Sequence, residues 1–151
     1  MMKSLIVIVL LLDSVTANAK TLLTGLSLEQ QKAAIHNAAK EIRKALPVEI
    51  DKTITWNSMY YVEDPPSLEG IYLHYTADIP YENIDANLTA SLKRGLLTFH
   101  TNTICTNQSY RQFMFVTGVT VRVAYKLPTG QQLLHFAIDK DDCSGAGNSY
   151  P

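Results

Sequence analysis

An α+β domain is the fold class this sequence predicts: an antiparallel four-stranded sheet with helices packed on one face, in the order αββααββ. Three patterns carry the expectation. Apolar residues recur at helical spacing through residues 27–46 and again from Asn83 or Asp85 to Phe99. Strict alternation at period two runs through residues 71–79 and 119–125. Clusters rich in Pro, Gly, Asp and Ser separate these runs and punctuate the chain.

The first helix opens at Ser27-Leu28-Glu29-Gln30, which has the form of a capping box, and Leu28, Ile35 and Ile42 then fall seven residues apart with Ala38, Ala39, Ala45 and Leu46 filling the same stripe. Pro47 stops it, because proline lacks the amide donor and pushes its predecessor out of helical geometry. Residues 52–62 combine Ile54, Trp56, Met59 and Tyr60 with Thr and Ser in a β-prone composition, although the alternation falters at Asn57-Ser58. Glu63-Asp64-Pro65-Pro66-Ser67 reads as a turn. In the next run Ile71, Leu73, Tyr75, Ala77 and Ile79 alternate with Tyr72, His74, Thr76 and Asp78, so one face is buried and the two runs form a hairpin.

Pro80 closes that strand, and Asn83 or Asp85 caps a second helix with Leu88, Leu92, Leu96 and Phe99 on one side. Gly95 within it is expected to serve close packing. A third helix, 108–117, carries Phe113, Met114 and Val116 and ends at Gly118, a residue suited to a left-handed cap. Val119, Val121, Val123 and Tyr125 then alternate with polar neighbours, Leu127-Pro128-Thr129-Gly130 turns the chain, and Leu134, Phe136 and Ile138 alternate back. Residues 144–151 have the small polar composition of a flexible tail.

The N-terminus has its own logic. Lys3, an apolar run from Leu5 to Leu12 and Ala17-Asn18-Ala19 follow the order of an export signal, with cleavage expected between Ala19 and Lys20. The apolar run is far short of the ~20 residues that span a bilayer. No Cys stands at the cleavage point for acylation, so no membrane anchor is expected once residues 1–19 are removed. Residues 20–143 then make one domain, exported to the periplasm or secreted. Removing Lys3 and Asp13 leaves the net charge at −1, which argues against nucleic acid as a partner, since phosphate binding needs clustered Lys and Arg. The two cysteines, Cys105 and Cys143, are expected to pair in an oxidising compartment; the alternative is two free thiols at a reactive site.

No catalytic or metal-binding constellation stands out in the residue spacings. His36, His74, His100 and His135 are scattered in sequence, match no metal-ligand spacing, and are expected at surface or boundary positions. Asp139, Asp141 and Asp142 suggest a calcium loop, but Ser144 and Tyr150 occupy the places where Gly and Glu are required. No metal, cofactor or catalytic residue is therefore assigned. Asn87-Leu88-Thr89 and Asn107-Gln108-Ser109 match the glycosylation sequon by chance, the first falling inside a helix. Tyr60, Tyr61, Tyr72, Tyr75 and Tyr81 crowd the first hairpin and its exit, and some of them must face solvent.

The C-terminal half carries a family likeness. Ile104-Cys105-Thr106-Asn107, Arg111-Gln112-Phe113-Met114 and Gly118-Val119, followed by the Pro128-Thr129-Gly130 turn and Asp141-Asp142-Cys143, resemble the pilotins of type II secretion systems, in the α+β class whose single disulfide joins a mid-chain helix to the end of the last strand. The resemblance implies a non-enzymatic periplasmic protein that binds or chaperones the C-terminal segment of a secretin, held as a helix in a groove, with Phe113, Met114 and Val116 near the partner. Pilotins of this class are lipoproteins, whereas this chain has an Ala-x-Ala site and no lipid-accepting Cys. The alternatives are a small secreted hydrolase or metal-binding protein using converging His and carboxylates, and an inhibitor or effector on the same fold.

Overall fold

The structure, a computed structural model, describes residues 25–80, 82 and 84–146. The expected signal segment with its Ala19–Lys20 cleavage point, Tyr81, Asn83 and residues 147–151 lie outside them. Helix α1 spans Leu28–Ala45. Its capping box forms as the sequence predicts: the Ser27 hydroxyl accepts from the Gln30 amide at 3.3 Å, and the Ser27 amide donates to Gln30 Oε1 at 2.9 Å. The buried stripe runs through Gln31, Ala39 and Ile42, while Leu28 is exposed.

Five strands form one sheet in the order β1-β2-β3-β4-β5, where the sequence suggested four. The additional strand is β1, Val48–Glu49, paired with Trp56 and Thr55 of β2, Ile54–Val62. Two residues are too few to show a period, so nothing in the pattern announces it. The register of β2 against β3, Gly70–Ala77, shifts between Trp56 and Ser58. That irregularity accounts for the broken alternation, because it turns Trp56, Met59 and Tyr61 all to the buried face.

The sheet is mixed, which corrects the antiparallel expectation. β3 pairs in parallel with β4, Thr120–Lys126, from Gly70 opposite Thr120 to Thr76 opposite Lys126. Between them lie helix α2, Ala86–Thr106, and helix α3, Gln108–Thr117. A helical crossover of that length returns the chain to the end from which β3 started, and parallel pairing needs such a connection. Gly70 sits where the two strands meet closely: a Cβ there would stand 2.8 Å from the Thr120 carbonyl oxygen. β4 and β5, Gln132–Ile138, form the expected hairpin, with Gly130 at φ 86° in its turn.

One face of the sheet carries the core. Ile71, Leu73, Tyr75 and Ala77 of β3 join Val121 and Val123 of β4 and Leu134 and Ile138 of β5 in a single buried cluster with Ala39 and Ile42 of α1, Ile104 of α2 and Met114 of α3. The other face shows Tyr60, Tyr72 and His74, half-buried. Helix α2 turns differently from the predicted stripe. Phe99 is 52% exposed and His100 takes the inward position. Gly95 contributes no close packing, since a Cβ there would meet nothing within 4 Å.

A last helix, α4, spans Lys140–Ala146 and covers the start of the segment expected to be a tail. The acidic run explains its beginning. Asp139 Oδ1 accepts from the amides of Asp141 and Asp142, and Asp142 Oδ2 accepts from the amide of Asp139, so these carboxylates cap a helix. Cys143 on α4 is disulfide-bonded to Cys105 on α2, with Cα atoms 5.1 Å apart. Lys32 of α1 pairs with Glu69 at 3.0 Å, and the Tyr61 hydroxyl donates to the same carboxylate at 2.8 Å, which ties α1 to the β2–β3 hairpin.

Candidate functional site

The loop between β1 and β2 stands away from α2 and leaves a cleft of about 410 Å³ on the helical side of the sheet. Ile50, Asp51 and Ile54 form one wall. Leu96, Phe99 and Thr103 of α2, Asn107 just past its end and Tyr110 at the start of α3 form the other. Trp56, Leu73, Tyr75 and Tyr125 make the floor, with His100 at its side. The local causes are legible. Asp51 Oδ1 accepts from Thr53 N, Thr53 Oγ1 and Ile54 N at 2.7, 2.9 and 2.9 Å, which fixes the turn and aims Ile50 and Ile54 at the helix. The Thr53 amide, first among these, holds the Asp51 carboxyl below the usual carboxylate range.

Aromatic rings build the floor. Tyr75 stacks on Tyr125 at 4.8 Å between centroids and on Trp56 at 6.1 Å, and His100 lies 5.2 Å from Tyr75. His100 Nε2 and the Tyr125 hydroxyl are 2.8 Å apart. His100 is 4% exposed, and burial lowers its pKa to about 4, so it is neutral at neutral pH. Burial pushes the hydroxyls of Tyr75 and Tyr125 up as well, and that of Tyr110 to about 12. The floor is therefore polar in places yet uncharged. Among the described lining residues there is no Lys or Arg, and Asp51 is the one carboxylate.

The residues singled out from sequence take different places. His100, expected near the surface, is buried beneath the cleft because Tyr125 offers it a partner in the core. His36 is exposed on α1, beside a shallow polar hollow formed with Glu29, Asn37 and Glu63. His74 and His135 share the outer face of the sheet on either side of Ala124. His74 Nε2 lies 3.2 Å from the Tyr60 hydroxyl, and His135 Nδ1 lies 2.7 Å from Gln132 Nε2. Tyr60 stacks on Tyr72 at 5.1 Å with Arg122 above Tyr72, so the tyrosines of the hairpin divide between the two faces. Among the described residues no three His, Cys, Asp or Glu come together to hold a metal ion.

Met114 is fully buried in the core, and the side chains of Phe113 and Val116 lie outside the described ones. The helix that walls the cleft is α2. Sequence reasoning missed Phe99 and the β1–β2 loop as its rims. The available signal was an α2 richer in apolar residues than one buried stripe requires, with Phe99 and His100 competing for the same inward place.

Neither a protein-family profile nor a curated protein sequence matches the chain. Solved structures do. A protein of Pseudomonas aeruginosa described as secreted superposes with a TM-score of 0.60 at 18% identity, over 79% of this chain and 99% of its own. EpsS, the pilotin of the Vibrio vulnificus type 2 secretion system, gives 0.57 at 13% identity over 76% and 93%. AspS, the type II secretion pilotin of Vibrio cholerae, gives 0.54 at 15% identity over 76% and 94%. The chain thus has the fold of the type II secretion pilotins.

Proposed function

We propose that this chain is an exported, non-enzymatic binding protein of pilotin type, which holds an amphipathic helix of a secretin-like partner in the cleft beside α2. The observation that carries the reading is the open apolar cleft itself, with Phe99 half-exposed at its rim on a fold shared with pilotins. Leu96 to Asn107 advance about 16 Å along α2 at about 1.5 Å per residue, room for three turns of a partner helix. A helix of that length offers apolar anchors at i, i+3 or i+4, and i+7, the pattern by which helices dock in grooves. On α3, Tyr110 lines the same wall, with Met114 buried in the core one turn further along.

Export is the companion proposal. The signal is cut after Ala19, the mature chain begins at Lys20, and the Cys105–Cys143 bond supports an oxidising compartment. Intact-mass measurement of the exported protein should give a chain that begins at Lys20 and is two hydrogens lighter than its reduced form. The binding reading is tested by calorimetric titration with C-terminal peptides of the secretins encoded in the same genome, with circular dichroism following helix formation in the peptide. Absence of binding at high micromolar concentration across all of them overturns it.

A further inference from the structure

The floor of the cleft holds a hydroxyl with nothing to bond. Tyr75 is only 8% exposed and lines the cleft, and its hydroxyl makes no hydrogen bond to any described residue. Its polar neighbours are already engaged. Trp56 Nε1 donates to the Ser58 carbonyl at 3.1 Å, Thr103 Oγ1 donates to the Phe99 carbonyl at 2.8 Å, and His100 pairs with Tyr125 at 2.8 Å. The hydroxyl is not one of the buried polar atoms left without a partner, which among the described residues are Gln31 Oε1 and Arg122 Nε, so it opens onto the cleft. A helix laid over it must supply an acceptor in place of water or leave it buried and unpaired, which is costly.

The surroundings narrow the chemistry of that group. A carboxylate would find no Lys or Arg among the described lining residues and would meet Asp51 at the rim. An ammonium at the floor would exchange its water for neutral rings, and Asp51, exposed at the rim with its Oδ2 outside the bonds to Thr53 and Ile54, would hold it there rather than at Tyr75. An uncharged oxygen suits a neutral phenol in an apolar setting. We infer that the cleft reads one uncharged hydrogen-bond acceptor, the side chain of Asn, Gln, Ser or Thr set among the apolar anchors of the partner helix, and that the Tyr75 hydroxyl is the group that reads it. The inference rests on the pilotin-type reading and adds to it a specificity-determining residue.

A displayed library of amphipathic helices of about 18 residues, roughly five turns, tests it. Each position of the apolar face is allowed Leu, Ile, Phe, Ala, Asn, Gln, Ser, Thr, Asp, Glu or Lys, and selection runs against the wild type and Tyr75→Phe. The wild type should enrich one uncharged polar residue on the apolar face. Replacing that residue by Ala should weaken wild-type binding about five-fold, the value of one hydrogen bond, and leave Tyr75→Phe binding unchanged. Free Tyr75→Phe should melt close to the wild type, because the hydroxyl has no hydrogen bond within the described residues to lose. Enrichment of Asp, Glu or Lys at that position, a wholly apolar face, or equal selections by the two proteins would overturn the inference and leave the helix-binding reading in place. A lower melting temperature with an unchanged selection would make Tyr75 structural and likewise overturn it. Failure of both proteins to enrich any helix would overturn both readings.

Discussion

Replacing His100 by Gln should remove much of the protein's sensitivity to mild acid. His100 faces Tyr75, Tyr125, Phe99 and Phe136, all neutral, with its Nε2 on the Tyr125 hydroxyl. Burial lowers its pKa from 6.5 to about 4. The sign follows from linkage: between those values the unfolded chain binds a proton that the folded chain refuses, so stability is complete above about pH 6.5 and is lost as pH falls towards 4. At ~1.4 kcal/mol per pH unit the full loss approaches ~3 kcal/mol, of which ~2 kcal/mol should appear between pH 7 and 4.5. Asp51 and Glu69, whose carboxyls lie below their ordinary range, add a separate loss only as pH falls through the carboxylate range. Burial also lowers His74, which leaves a smaller slope in the same window. Urea unfolding followed by fluorescence of Trp56, the one Trp and a core residue, measures the effect at pH 7, 5.5 and 4.5. A Gln variant with the same pH slope as the wild type would refute the reasoning.

Gly95→Ala should raise stability by about 0.5–1 kcal/mol, because the position is helical and a Cβ there is unopposed, whereas Gly70→Ala should lower it by about 1–3 kcal/mol through the clash with the Thr120 carbonyl oxygen; denaturant midpoints decide both. Replacing Cys105 and Cys143 by Ser opens a loop with a separation of 38 residues and should lower stability by about 4 kcal/mol on the chain-entropy estimate, read from the same curves. Phe99→Ala should leave the melting temperature nearly unchanged, since the ring is 52% exposed. It should nonetheless weaken binding of the partner helix at least ten-fold in calorimetric titration, as expected of an aromatic anchor.

Legibility followed the physics of each element. The alternation of β3 and β4 assigned Leu73, Tyr75, Val121 and Val123 to the buried face because a strand's period is fixed by its geometry and holds without help from neighbours. The capping box at Ser27 was equally local. Parallel pairing was not legible, because residues 71–77 and 119–125 look the same whichever way they run, and direction is set by how the α2–α3 connection crosses the sheet. β1 escaped because two residues carry no period. Choosing between Phe99 and His100 for the inward position needed knowledge of Tyr125, distant in sequence, whose hydroxyl compensates the buried imidazole. The cleft is hidden for a similar reason: its walls come from the β1–β2 loop and α2, and only the folded sheet sets them face to face.

Amide chemical-shift mapping with a secretin C-terminal peptide from the same genome tests the central claim, that the cleft beside α2 is the binding surface, most directly. The account predicts perturbations concentrated at residues 50–54 and 96–110, with Trp56 and Tyr75 beneath them, and little change at Tyr60, Tyr72 and His74 on the far face of the sheet. Saturable binding with the perturbations concentrated on that outer face, or around Glu29, His36 and Glu63, would contradict it.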